Sequence, residues 1–149
     1  MGIPAWASSV SSPTPADVTK RWLRFAQDDI QLAEGVAATG DYAPHIVCFH
    51  AQQCAEKALK AILIYLQIAF PFQHDLDKIL ALVPSGWHVP SAYTDLSWLT
   101  QWATVGRYPG NWPETTDQDA RDAAAQARDV WETVLNDLDQ HGLDVSAYR

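Results

Sequence analysis

Apolar residues recur at helical spacing along most of this chain, and no run of β-branched residues alternates with polar ones as a strand requires. Thr14-Pro15-Ala16-Asp17 has the form of a helix start, with Thr14 as N-cap, Pro15 in the first turn and Asp17 completing a capping box. That helix is predicted to reach about Ala38 and to bury Trp22, Phe25, Ala26, Ile30, Ala33, Val36 and Ala37. Gly40-Asp41 turns the chain, and Pro44 suits the first turn of a second long helix running to Gln67. Its apolar face carries Val47, Ala51, Cys54, Ala55, Ala58, Ala61, Ile62, Tyr65 and Leu66. A link this short makes the two helices antiparallel neighbours. Asp75 to about Val83 reads as a short helix with Leu76, Ile79, Leu80 and Val83 on one face. Ser91 to about Val105 reads as another, with Ser91 as its cap and Tyr93, Leu96, Leu99, Trp102 and Ala103 as its stripe. Gly106 to Pro113 cannot be helical. Thr116 opens the last helix with a second capping pattern, its apolar arc runs from Ala120 to Leu138, and Gly142 ends it.

The expected architecture is therefore all-α, an up-and-down bundle of four or five helices, three of them long. Residues 1–13 read as a flexible N-terminal tail in which Trp6 is the one residue suited to docking, residues 14–142 as the helical domain, and residues 143–149 as a C-terminal tail.

A chain of 149 residues with 48% hydrophobic and 19% charged content can fold as one domain. No apolar run reaches the roughly 18 residues of a membrane span, and no secretory pattern opens the chain, so the expected location is the cytoplasm. Cys48 and Cys54 share the second helix, separated by a rise of roughly 9 Å and pointing about 120° apart. They cannot bridge each other and read as buried thiols. The net charge of −8 is uneven, since nine acids and three arginines follow residue 113. No basic footprint appears, which argues against nucleic acid as the main ligand.

Candidate chemistry concentrates on the second helix. At 100° per residue, His50, Gln53, Lys57 and Lys60 fall within about 80° of arc, with Glu56 beside them. The stripe reads either as a solvated face with a Glu56–Lys60 pair, as a row satisfied by neighbouring helices, or as a binding surface. Arg107-Tyr108-Pro109-Gly110 reads as a turn, or as an arginine and tyrosine facing a cleft and suited to phosphate. His74 precedes the short helix, where it can cap it or orient a neighbour. His45 and His50 lie about 140° apart on a helix, and no paired metal-ligand motif is present, so neither a metal nor a cofactor is expected.

Four stretches in order, WLRFAQDDIQLAE, CFHAQQCAEKALKAIL, FPFQHDLDKIL and RYPG, resemble the HEPN domain family, over about Arg21 to Gly142. The resemblance implies an up-and-down helical bundle that commonly dimerises and is similar to the helical C-terminal domain of kanamycin nucleotidyltransferase. It also implies a minimal nucleotidyltransferase as partner, in some cases as a toxin–antitoxin pair, and a proposed nucleotide ligand. Some members are metal-independent ribonucleases that use an Arg followed, after four to six residues, by a His. No Arg in this chain has a His at that spacing. The helix-two residues His50, Gln53, Glu56, Lys57 and Lys60, with Arg107 and Tyr108, do match the family pattern and are the expected nucleotide- or partner-binding set, with no catalytic residue assigned. The alternatives are a ribonuclease using His50, Arg107 and Tyr108, and a structural dimerisation module whose interface is formed by the loops bearing Trp87 and Trp112.

Overall fold

A computed structural model describes residue 2 and residues 11–149. Three long helices form the frame: α1 (Pro15–Thr39), α2 (Pro44–Tyr65) and α7 (Asp117–Gln140). Between α2 and α7 come four short ones: α3 (Leu76–Leu80), α4 (Val89–Ala92), α5 (Ser97–Thr100) and α6 (Trp102–Val105). A 3-10 turn, Ser146–Tyr148, follows α7. None of the helices is long and apolar enough to cross a membrane. The expectation for residues 1–10, Trp6 included, lies outside the described residues apart from residue 2.

The central element is α2, which packs against α1, α7 and the short helices α3, α5 and α6. Thirteen of its residues are buried, and Ala51, Ala55, Ala58 and Ala61 keep its surface small enough for neighbours to approach closely. Antiparallel pairing of α1 and α2 follows from register. Asp29 in mid α1 meets His50 and Lys57, while Trp22, earlier in α1, meets Phe70 beyond the end of α2. The end of α7 returns to the end of α2, where Tyr65 donates to the His141 carbonyl at 2.7 Å. The two helices thus run parallel, and residues 76–107 fill the third position of the up-and-down bundle between them.

Both predicted capping boxes are present. Thr14 and Asp17 exchange bonds at the start of α1, and Thr116 and Asp119 do so at α7. At the end of α7, Leu143 N–H donates to Leu138 and Gly142 N–H to Asp139, a Schellman motif with Gly142 left-handed at φ 99°. The same motif ends α2, with Ile68 bonding Leu63 and Gln67 bonding Ile64, so this helix stops at Tyr65 and not at Gln67. A non-glycine residue, Gln67, takes the left-handed position there at φ 56°.

Two further sequence expectations need correction. First, the buried row of α1 is Thr19, Leu23, Ala26, Asp29, Ile30 and Ala33, whereas Phe25 is 56% exposed and Trp22 half-buried. The helix is rotated so that a carboxylate, not an aromatic ring, faces α2. Second, the helix expected from Ser91 to Val105 is broken into three. Tyr93 is extended, its hydroxyl held by Asp129 at 2.6 Å, and Leu96 N–H donates to Asp77 at 2.9 Å. Ser91 caps nothing. The start of α4 is held instead by Asp137 of α7, which accepts from the His88 and Val89 N–H groups at 3.0 and 2.8 Å. Residues 143–149, the expected C-terminal tail, lie against the bundle. Leu143 and Val145 are buried, and the Tyr148 hydroxyl donates to the Lys20 carbonyl at 3.0 Å.

Candidate functional site

The α2 stripe is neither solvated nor continuous. It divides into two clusters, each of which joins a carboxylate to a lysine and a histidine. In the first, Asp29 of α1 accepts from His50 Nδ1 at 2.9 Å through one oxygen and from Lys57 Nζ at 2.6 Å through the other. His50 and Lys57 are two turns apart on α2 and so bracket the Asp29 side chain. Both are about a quarter exposed, and Asp29 less. The arrangement requires α1 to present an acid at the register where α2 presents its bases.

In the second cluster, Glu56 accepts from His74 Nδ1 at 2.7 Å and from Gln52 Nε2 at 3.2 Å through Oε1, and from Lys60 Nζ at 3.0 Å through Oε2. Gln53 Nε2 donates to Gln52 Oε1 at 2.7 Å, which completes the chain. Glu56 and Lys60 form the expected i,i+4 pair, but in a buried setting, with side chains only 7% and 5% exposed. The Lys60 ammonium also lies 5.4 Å from the Phe70 ring centroid and 5.9 Å from that of Phe72. His74 does not cap α3. That role belongs to Asp75, which accepts from the Asp77 and Lys78 N–H groups, while His74 orients Glu56.

Bonding each carboxylate through Nδ1–H leaves Nε2 of both imidazoles as the unprotonated nitrogen while they are neutral. Each cluster then carries one positive and one negative charge. Neither lysine is an uncommitted cation.

Among the described residues, the Arg107 and Tyr108 side chains make no hydrogen bond or ion pair with either cluster. The Arg107 guanidinium lies 5.6 Å from the Phe49 ring centroid and 5.1 Å from that of Tyr108. Phe49 precedes Lys57 by eight residues, about 12 Å along α2, so the arginine is remote from the two lysines of the stripe, whereas the His50 ring lies 5.3 Å from that of Phe49. Arg107 borders an open cavity of about 360 Å³ lined by His45, Tyr108, Trp112, Glu114 and Thr115 among others. Among the described residues, no carboxylate lies within ion-pair distance of it. Gly106 fixes the approach of this loop to α2. A Cβ there would lie 2.5 Å from the Trp102 carbonyl oxygen and 2.9 Å from Phe49 Cβ.

Asp29 and Gln52 were not among the sequence candidates, yet each completes a cluster. The signal for Asp29 is a charge three residues after Ala26 and four before Ala33, inside the buried row. The signal for Gln52 is its i,i+4 spacing to Glu56. Cys48 and Cys54 are both buried and free, and burial pushes the Cys48 thiol up to about 12, with a lesser contribution from Asp119. Burial raises Cys54 as well. Neither is poised as a nucleophile.

The HEPN domain family profile matches residues 19–138. Two solved structures share the fold. The crystal structure of TT1696 from Thermus thermophilus is 25% identical, with a TM-score of 0.67, covering 80% of this chain and 97% of that one. That of ST0689, an archaeal HEPN homologue, is 26% identical, with a TM-score of 0.61, covering 79% and 95%. No curated protein matches the chain.

Proposed function

Since the chain belongs to the HEPN domain family, we propose that it is a non-catalytic helical module, homodimeric, that binds a nucleotide, a partner minimal nucleotidyltransferase, or both. The observation that carries the nucleotide half is Arg107. It is a guanidinium lining a cavity, beside two aromatic rings, with no carboxylate partner among the described residues. A guanidinium so placed suits a phosphate, with Tyr108 and Trp112 offering ring faces to a base and Glu114 and Thr115 offering polar groups to ribose hydroxyls. By contrast, Lys57 and Lys60 are each neutralised by a carboxylate, which makes the α2 stripe the frame of the module and not its phosphate site.

Calorimetry with ATP and AMP, and co-purification with a minimal nucleotidyltransferase, test this reading. Heat of binding lost in Arg107→Ala supports it; no heat and no retained partner would overturn it. A ribonuclease reading draws support from the carboxylate-oriented His50, whose Nε2 has the form of a general base. It predicts cleavage of single-stranded RNA by the purified dimer and loss of that cleavage in His50→Gln. Intact RNA would dismiss it.

A further inference from the structure

The first half of α1 carries a surface that the Arg107 cavity does not use. Lys20, Arg21 and Arg24 lie within five residues of one another, all exposed, on a chain whose net charge is −8. None of the three forms an ion pair among the described residues. Beside them a cleft of about 280 Å³ is lined by Arg21, Trp22, Phe25 and Lys57. A second, of about 340 Å³, is lined in part by Lys20, Arg21 and Arg24. Arg21 belongs to both, so the apolar slot and the basic patch are continuous. The Asp17 carboxylate also lines the second cleft, where one oxygen accepts from the Thr14 N–H at 2.9 Å, and its single charge offsets only part of the three cations. Lys57 at the slot is held by Asp29.

The slot is walled largely by the Trp22 and Phe25 rings, and since Lys57 is held by Asp29, Arg21 is the one charged lining group left to meet a ligand, too little to read the hydrogen-bonding edge of a base. Burying such an edge unpartnered costs free energy, whereas an apolar side chain enters without that penalty. Its volume suits a single anchoring side chain, and the cations on its rim suit carboxylates flanking that anchor. We propose that this face docks an acidic segment of a partner protein, with one aromatic or branched aliphatic side chain in the Trp22–Phe25 slot and neighbouring carboxylates on Arg21, Arg24 and Lys20. The proposal rests on the partner-binding half of the functional reading and names the surface and chemistry by which that binding occurs.

The test is a selection from a random-peptide display library against the purified full chain, with affinities of the winners measured by fluorescence anisotropy. The winners are expected to combine one aromatic or aliphatic residue with two or more nearby acids. Their affinity should fall at least about tenfold for Phe25→Ala and for the Arg21→Glu/Arg24→Glu double variant. All three positions are exposed, so circular dichroism and the melting temperature should match the wild type. Winners without acids or without an anchor, undiminished binding by the variants, or tighter binding of oligouridine than of the best peptide would each overturn the proposal. A nucleotidyltransferase retained equally by wild type and variants removes this surface but leaves the functional reading standing. A partner retained by neither removes that reading, while the peptide affinities judge the surface independently.

Discussion

The Asp29 and Glu56 clusters contain the same three kinds of group, yet they differ in setting. Glu56 and Lys60 are almost fully buried and lie under Phe70 and Phe72, with a histidine contributed from the loop before α3. Asp29 ties two neighbouring helices, and its bases are about a quarter exposed, Lys57 lining the slot beside Phe25. Burial, not composition, decides what each does. A buried ion pair gains little net stability when intact but is costly to break by halves, whereas partly exposed partners can be rehydrated. The Glu56 cluster is therefore a clamp that fixes residues 66–75 on α2, and the Asp29 cluster sets the register of α1.

Breaking the clamp should give the largest effect. Glu56→Ala leaves Lys60 without its counter-ion and should cost about 3–5 kcal/mol in urea unfolding. Replacing both partners, as Glu56→Leu with Lys60→Met, should recover most of that loss, because no buried charge remains. A double variant as unstable as the single one would show that the pair is needed for packing rather than for charge balance.

Next comes Gly106→Ala, where the added methyl meets the Trp102 carbonyl and Phe49. Overpacking there should cost about 1–3 kcal/mol and disturb the Arg107 loop, detected as a lower melting temperature together with weakened ATP binding. An unchanged melting temperature would show that the loop yields freely.

Asp29→Ala should cost about 1–3 kcal/mol, since His50 and Lys57 can regain water. Were it to cost more than Glu56→Ala, the contrast between the clusters would be wrong.

The smallest effect concerns pH. Hydrogen bonds from Thr14, Ser97 and Ser146 hold the carboxyls of Asp17, Asp95 and Asp144 below their ordinary value of 3.8. A lowered folded-state value contributes stability above the unfolded value, and that contribution is lost as pH falls through the folded one. The gap in melting temperature between wild type and Asp144→Asn should thus be constant above about pH 5 and close between about pH 4 and 2. A gap unchanged into that acid range would contradict the assignment.

The long helices were legible because capping residues and apolar rows are local. Thr14, Thr116 and Gly142 act where the sequence places them, and the apolar arc of the last helix, from Ala120 to Leu138, is buried. The third position of the bundle was not, because its breaks are set at long range by Asp77, Asp129 and Asp137, each bonding a residue far away in sequence. The stripe on α2 was visible as a row of polar residues, but its division depends on which elements oppose it. Asp29 and His74 come from different elements, and only the fold shows that they take separate halves of the row.

The central claim is that the α2 lysines are internally neutralised and that the nucleotide phosphate belongs to Arg107. Calorimetric titration of ATP into wild type, Arg107→Ala and Lys57→Gln tests it most directly. The account predicts that Arg107→Ala weakens binding by about tenfold or more, the loss of a charge-assisted bond, while Lys57→Gln changes it by less than about threefold. Binding abolished by Lys57→Gln and untouched by Arg107→Ala would contradict it.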